Sequence, residues 1–297
     1  MDFMSLDKII QNFEDILTQL KKLALISNDQ KIENISEIEK KSDFDVLKSL
    51  LMSEEWPQAA PDFLICEENE QDKIDRAEGI ISYLSQDLRD KSFLDFGCGE
   101  GHVALNASTS GATKSHGYDI LKSGNLNWEE KKESFLLTSD FEKIKKNAPY
   151  DFVLLYDVLD HTENPVEVLN KIRQIVDDNS KIFVRCHPFS SRHGTHLYRK
   201  LNKAYVQLVF TDEELTELGL IGDIKQKTYF PINENNKWFD GARFKVVSQD
   251  GVKTLVEDFF KDNKLVSSRI TRDDYSKAFP EHQMAQVFND YVLQILP

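Results

Sequence analysis

The residues best suited to chemistry lie in the stretch 93–104. Phe93 and Leu94 lead into Asp95, glycines follow at every second position (Gly97, Gly99, Gly101), and an apolar helical pattern then begins. Glycine at such positions lets the backbone take positive φ, or lets a ligand approach where a Cβ would block it. The pattern predicts a strand, a tight bend and a helix start, whose first N–H groups carry partial positive charge towards whatever lies across the bend. Cys98 sits inside the bend as a small packing residue and is counted with it among the ligand-contacting residues.

Acids fall at the ends of the strands that follow. Asp119 comes about 20 residues after the glycines, where a carboxylate can accept from both hydroxyls of a ribose. Ser139 and Asp140 follow a third apolar run, and Asp157 follows a fourth. Each acid taken singly also reads as a helix cap or a solvated residue.

Two histidines are candidates for removing a proton from an acceptor, His187 and His161, because imidazole titrates near neutrality. His161 has the alternative role of bracing the cofactor pocket. The segment 180–211 contains no Asp or Glu but carries Arg185, Arg192, His193 and Arg199. These predict a grip on an anionic acceptor, or else a basic surface loop balanced by the acidic stretch 53–80. His187, His193 and His196 lack helical spacing and a neighbouring carboxylate, so no metal site is expected.

The order Asp-x-Gly-x-Gly-x-Gly differs from the G-x-G-x-x-G of dinucleotide folds. It resembles the first motif of the class I S-adenosylmethionine-dependent methyltransferases. Asp157-Val158-Leu159-Asp160-His161 is similar to the segment that follows strand four in that family, and the likeness spans about residues 56–248. The resemblance implies S-adenosyl-L-methionine as cofactor, contacted by Asp95, the glycine bend and Asp119. It also implies Ser139 and Asp140 at the adenine edge, with Asp157 near the methionine end. The implied activity is methyl transfer, and together with the basic segment 180–211 it gives an O or N atom of a small or medium-sized, anionic molecule as the expected acceptor. The alternatives are a nucleic-acid methyltransferase and a non-catalytic methyltransferase-like binding subunit.

The elements that must position these residues read as an alternation of strands and helices. This predicts an α/β fold, a Rossmann-like, seven-stranded, mostly parallel sheet with helices on both faces. Strands are expected at Ser92–Phe96, Lys114–Tyr118, Phe135–Thr138, 151–156 and 181–185, with 224–230 and 244–248 as a final antiparallel pair. The periodicity predicts a helical N-terminal extension over 1–52, a methyltransferase domain over 53–250, and a helical C-terminal addition over 251–297 that includes a helix at 284–296. The N-terminal helices read as a cap or lid, or as an arm that could form a homodimer. Residues 56–76 are expected to border the cofactor or substrate pocket.

Bulk composition sets the frame. The chain has 297 residues, 40% hydrophobic and 30% charged, with a formal net charge of −14. Such a balance disfavours nucleic acid and anionic membranes as partners. No apolar run approaches a membrane span and no secretory leader is recognisable at Met1, so a cytoplasmic location is expected. Three cysteines without paired spacing suggest neither disulfides nor zinc.

Overall fold

The computed structural model describes residues 42–61, 69–128, 134–192, 194, 196–223, 234–270 and 284–296. The chain divides into two units, Met1–Ser53 and Glu54–Pro297. In the first, the helix Asp43–Leu51 begins at a capping box: Asp45 N–H donates to Ser42 Oγ, and the Asp45 carboxylate accepts the Ser42 N–H. The helices expected nearer the N-terminus, and the dimer arm they would form, lie outside the described residues.

The second unit is built on a seven-stranded sheet of order β3-β2-β1-β4-β5-β7-β6. β1 (Ser92–Phe96), β2 (Lys114–Tyr118), β3 (Phe135–Thr138), β4 (Phe152–Tyr156) and β5 (Lys181–Cys186) are mutually parallel. The first five strands fall where the sequence predicted them: β1, β3, β4 and β5 are mostly apolar, as strands covered on both faces are, whereas β2 (Lys-Ser-His-Gly-Tyr) follows from the alternation of elements around it. Leu94, Phe96, Val153, Leu155, Ile182 and Val184 face one core, shared with the helices Pro165–Arg173 and Glu234–Gly241. The alternate residues Phe93, Phe152, Leu154 and Phe183 face the other, shared with Glu70–Leu84 and His102–Thr109. Local signals start the helices: Asn164 caps Pro165–Arg173 with proline in its first turn, and Thr211 makes a capping box for Asp212–Glu217.

The C-terminal half of the sheet corrects the expectation. β6 (Phe244–Lys253) pairs antiparallel with β7 (Gln286–Ile295), and β7 lies between β5 and β6. The segment expected as a C-terminal helix is therefore a strand, and the sheet extends well past residue 250. Tyr291 and Leu293 pack into one core while Val292 packs against the other. Apolar residues on both faces of β7 erase the alternation that would have marked a strand. The stretch 224–230, expected as the sixth strand, lies outside the described residues. The helical pattern expected around 252–260 is realised only as Asp258–Asp262, with Lys264–Ile270 following it. Among the described residues, no helix is long and apolar enough to cross a membrane.

Candidate active site

The site is assembled at the carboxyl ends of the parallel strands. After β1 the chain bends through Gly97, Gly99 and Gly101, at φ of 82°, 53° and 91°. The amides of Gly97 and Cys98 both donate to the Tyr118 carbonyl, at 2.7 and 3.1 Å, which ties the bend to the end of β2. A Cβ on Gly97 would meet Val158 Cγ2 at 2.5 Å, and one on Gly101 would meet Leu137 Cδ1 at 2.6 Å. Close packing of the bend against its own fold explains glycine at these two positions. At Gly99 a Cβ would meet nothing within 4 Å, so the space above it is open.

Beside this opening is a cleft of about 220 Å³, lined by Asp95, Gly97, Cys98, Gly99, Gly101 and Tyr156, among others. The helix Glu70–Leu84 supplies Lys73, Arg76, Ala77 and Ile80 to its other wall. Two polar ties join that helix to the glycine bend: Lys73 Nζ to Glu100 Oε2 at 2.7 Å, and His102 Nε2 to Glu70 Oε1 at 2.9 Å. Asp119 accepts the Gly99 N–H at 2.9 Å and the Leu121 N–H at 3.1 Å, so its carboxylate is seated on the bend itself. Asp95 is buried, and burial, with the Asp119 charge added, pushes its carboxyl up to about 7.

Other predicted residues take different places. Asp140 is exposed and caps Phe141–Lys146 by accepting the Glu142 N–H at 3.0 Å. Ser139 is half-buried beside it, and neither lines the cleft. Within the expected border 56–76, Lys73 and Arg76 do line it. Trp56 instead joins an aromatic core, stacked 6.0 Å from Phe210, with its indole N–H on the Ala204 carbonyl at 2.8 Å.

A second group of polar side chains follows β4 and β5. Asp157 has φ of 56° and brings Oδ1 within 3.3 Å of His187 Nε2. His187 Nδ1 lies 2.9 Å from the Val287 carbonyl, an acceptor, so Nδ1 carries a proton. With Nε2 facing a carboxylate, the ring favours the imidazolium form. Burial alone would lower its pKa, but Asp157 and then Asp160 outweigh burial and raise it. Asp160 is itself buried, accepts the His187 amide at 3.0 Å, and is pushed up to about 6 by burial and then by Asp157. His161 is exposed on the short turn Leu159–His161, and its ring meets that of His196 at 4.6 Å.

Two of the arginines expected to grip an anion are paired within the chain. Arg185 Nε and Nη2 donate to the two oxygens of Asp290, each at 2.7 Å, and Nη1 donates to the Tyr156 hydroxyl at 2.6 Å. Its guanidinium also lies 3.8 Å from the centre of the Phe288 ring. Arg192 Nη2 reaches the Gln58 carbonyl at 2.6 Å and pairs with Glu257 at 2.5 Å. Both cations are thus matched inside the protein. His193 and the side chain of Arg199 lie outside the described residues. Asp290 and Tyr156 were not singled out from the sequence. The Arg185 partner is 105 residues away, and only the pairing of β5 with β7 brings it near.

The residues around the cleft fit S-adenosylmethionine. An open space above a glycine amide, a carboxylate tied to that amide and a second, buried carboxyl suit a ribose beside a cationic group. A pyrophosphate would meet repulsion from the same acids.

The sequence matches the family described as "Methyltransferase domain" over residues 69–249. A search of curated proteins found no match. Among solved structures, an S-adenosylmethionine-dependent methyltransferase from Mesorhizobium loti is 11% identical, with a TM-score of 0.43, covering 74% of this chain and 99% of that one. A second, from Archaeoglobus fulgidus, is 14% identical, with a TM-score of 0.45, covering 75% and 94%. A magnesium protoporphyrin IX methyltransferase from Synechocystis PCC 6803 is 15% identical, with a TM-score of 0.39, covering 77% and 89%. The family match spans most of the parallel sheet and the glycine bend, and the residues it encloses form the cleft. The chain belongs to the methyltransferase domain family and is a class I S-adenosylmethionine-dependent methyltransferase.

Proposed function

We propose that the enzyme methylates an O or N atom of a small or medium-sized molecule, with the acceptor entering over the ends of β4 and β5. The observation that carries this reading is the group Asp160, His161 and His196 on the turns after β4 and β5, whose polar atoms lie within 4.8 Å of one another and suit handling of an acceptor's proton. S-adenosylmethionine supplies an electrophilic methyl group on a sulfonium sulfur. The glycine bend, Asp95 and Asp119 bind and orient it, and alignment of this kind accounts for much of the rate in a displacement reaction.

His187 is a positioning residue in this reading. Both its nitrogens face acceptors, so it holds its proton and fixes Asp157 and the backbone that presents Asp160. Proton handling falls to the corner formed by Asp160, His161 and His196. Internal pairing of Arg185 and Arg192 removes the main support for an anionic acceptor, so neutral hydroxyl and amine compounds belong in the search on equal terms. The experiment is calorimetric titration with S-adenosylmethionine, S-adenosylhomocysteine and NAD, followed by a labelled-methyl screen over hydroxylated and aminated metabolites and RNA. Methylation confined to RNA would overturn the small-molecule reading.

A further inference from the structure

Asp160 and His161 lie on the turn after β4, and His196 precedes the turn Leu197–Arg199 after β5. A carboxylate oxygen of Asp160 and one ring nitrogen from each histidine all fall within 4.8 Å of one another. We propose that these three side chains bind one first-row divalent cation of the Zn²⁺ or Co²⁺ class.

The donor set argues for that class. Two imidazoles and a carboxylate suit zinc and its neighbours, whereas Mg²⁺ and Ca²⁺ favour oxygen ligands. Bonds of about 2 Å to one ion place ligand atoms at most about 4 Å apart, so the present spread closes by a small turn of the exposed His161. Three protein ligands leave a further position for water or an acceptor oxygen, the pattern of zinc sites that act on substrates.

A further observation points the same way. The Asp160 carboxylate is held by the His187 amide at 3.0 Å, the kind of outer contact that fixes a ligand's direction. Edge-to-face stacking at 83° explains contact between the His161 and His196 rings, but not why a buried carboxylate shares their corner. His196 also keeps a left-handed backbone, φ 58°, which costs a non-glycine residue on the order of 1 kcal/mol and holds the ring where it is.

The existence of the site does not depend on the methyl-transfer reading, although its use does: an ion here would orient an acceptor oxygen and ease loss of its proton. Metal-stripped full-length protein titrated with Co²⁺ is expected to bind one equivalent with visible d–d absorption, and Zn²⁺ to displace it. His161→Ala and His196→Ala should each weaken Zn²⁺ binding by about tenfold or more, with S-adenosylhomocysteine affinity unchanged. His161 is solvent-exposed, so its substitution is the decisive one. Absence of saturable binding in the parent protein, or one-equivalent binding that survives His161→Ala, overturns the proposal. Metal binding that persists without any cofactor binding would instead sink the methyltransferase reading and leave the ion site standing.

Discussion

Arg185 and Asp290 face each other across antiparallel β5 and β7 and are joined by two hydrogen bonds of 2.7 Å each. Their side chains are 12% and 17% exposed, so the pair is largely removed from water. Loss of one partner strands the other charge, a defect that costs about 3–5 kcal/mol. Arg185→Ala and Asp290→Ala should therefore both lower the denaturation midpoint strongly, while Arg185→Met with Asp290→Leu recovers much of the loss. Denaturant unfolding checks this. A fully stable Arg185→Ala with only a raised acceptor KM would restore the arginine to a substrate role.

Asp119 acts through its seat on Gly99. Asp119→Ala removes the acceptor of the Gly99 N–H, and an interaction of this charged kind contributes about 1.5–3 kcal/mol. S-adenosylhomocysteine affinity is expected to fall by about tenfold or more, and stability by up to about 1.5–3 kcal/mol. Asp119→Asn keeps one oxygen for the amide, and its effect separates loop shape from charge. Isothermal titration on both variants gives the answer.

Gly101 tests the backbone in isolation. With φ of 91° and Leu137 Cδ1 2.6 Å from an added Cβ, Gly101→Ala combines backbone strain with a clash. A cost of about 1–3 kcal/mol is expected, together with weakened cofactor binding. Gly99→Ala has no neighbour within 4 Å to strike, so its stability loss should be smaller, whereas its effect on the cofactor should be at least as large.

Asp95 makes stability depend on pH in a defined direction. Its carboxyl is raised from 3.8 to about 7, chiefly by burial. The native chain therefore holds a proton that the unfolded chain has released. Stability from this group is greatest below the unfolded value and declines as pH rises towards 7, by about 1.4 kcal/mol per pH unit at most. Asp95→Asn should flatten that decline and stabilise the cofactor-free protein near neutrality, while weakening S-adenosylmethionine binding. Unfolding free energies measured across this pH range, variant against parent, carry the test.

The parallel half of the sheet was legible because its signals are local. Apolar runs marked β1, β3, β4 and β5, alternate glycines marked the bend, and Ser42, Asn164 and Thr211 mark helix starts through their own side chains. What escaped depends on distant partners. β7 reads as a helix until β5 and β6 flank it, and Arg185 reads as a free cation until Asp290 is brought across from β7. Asp140 shows the converse: the family resemblance implied a role at the adenine edge, and its backbone position makes it a cap. The grouping of Asp160, His161 and His196 was hidden for the same reason, since the turns after β4 and β5 meet only once the sheet is formed.

The placement of β7 between β5 and β6 has a consequence during synthesis. A nascent polypeptide emerging from the ribosome can zip up β1 to β5 as each appears, but β6, though made earlier than β7, finds no adjacent strand until residues 286–295 have been translated. Its ten residues must therefore wait with their ladder unmade until β7 follows.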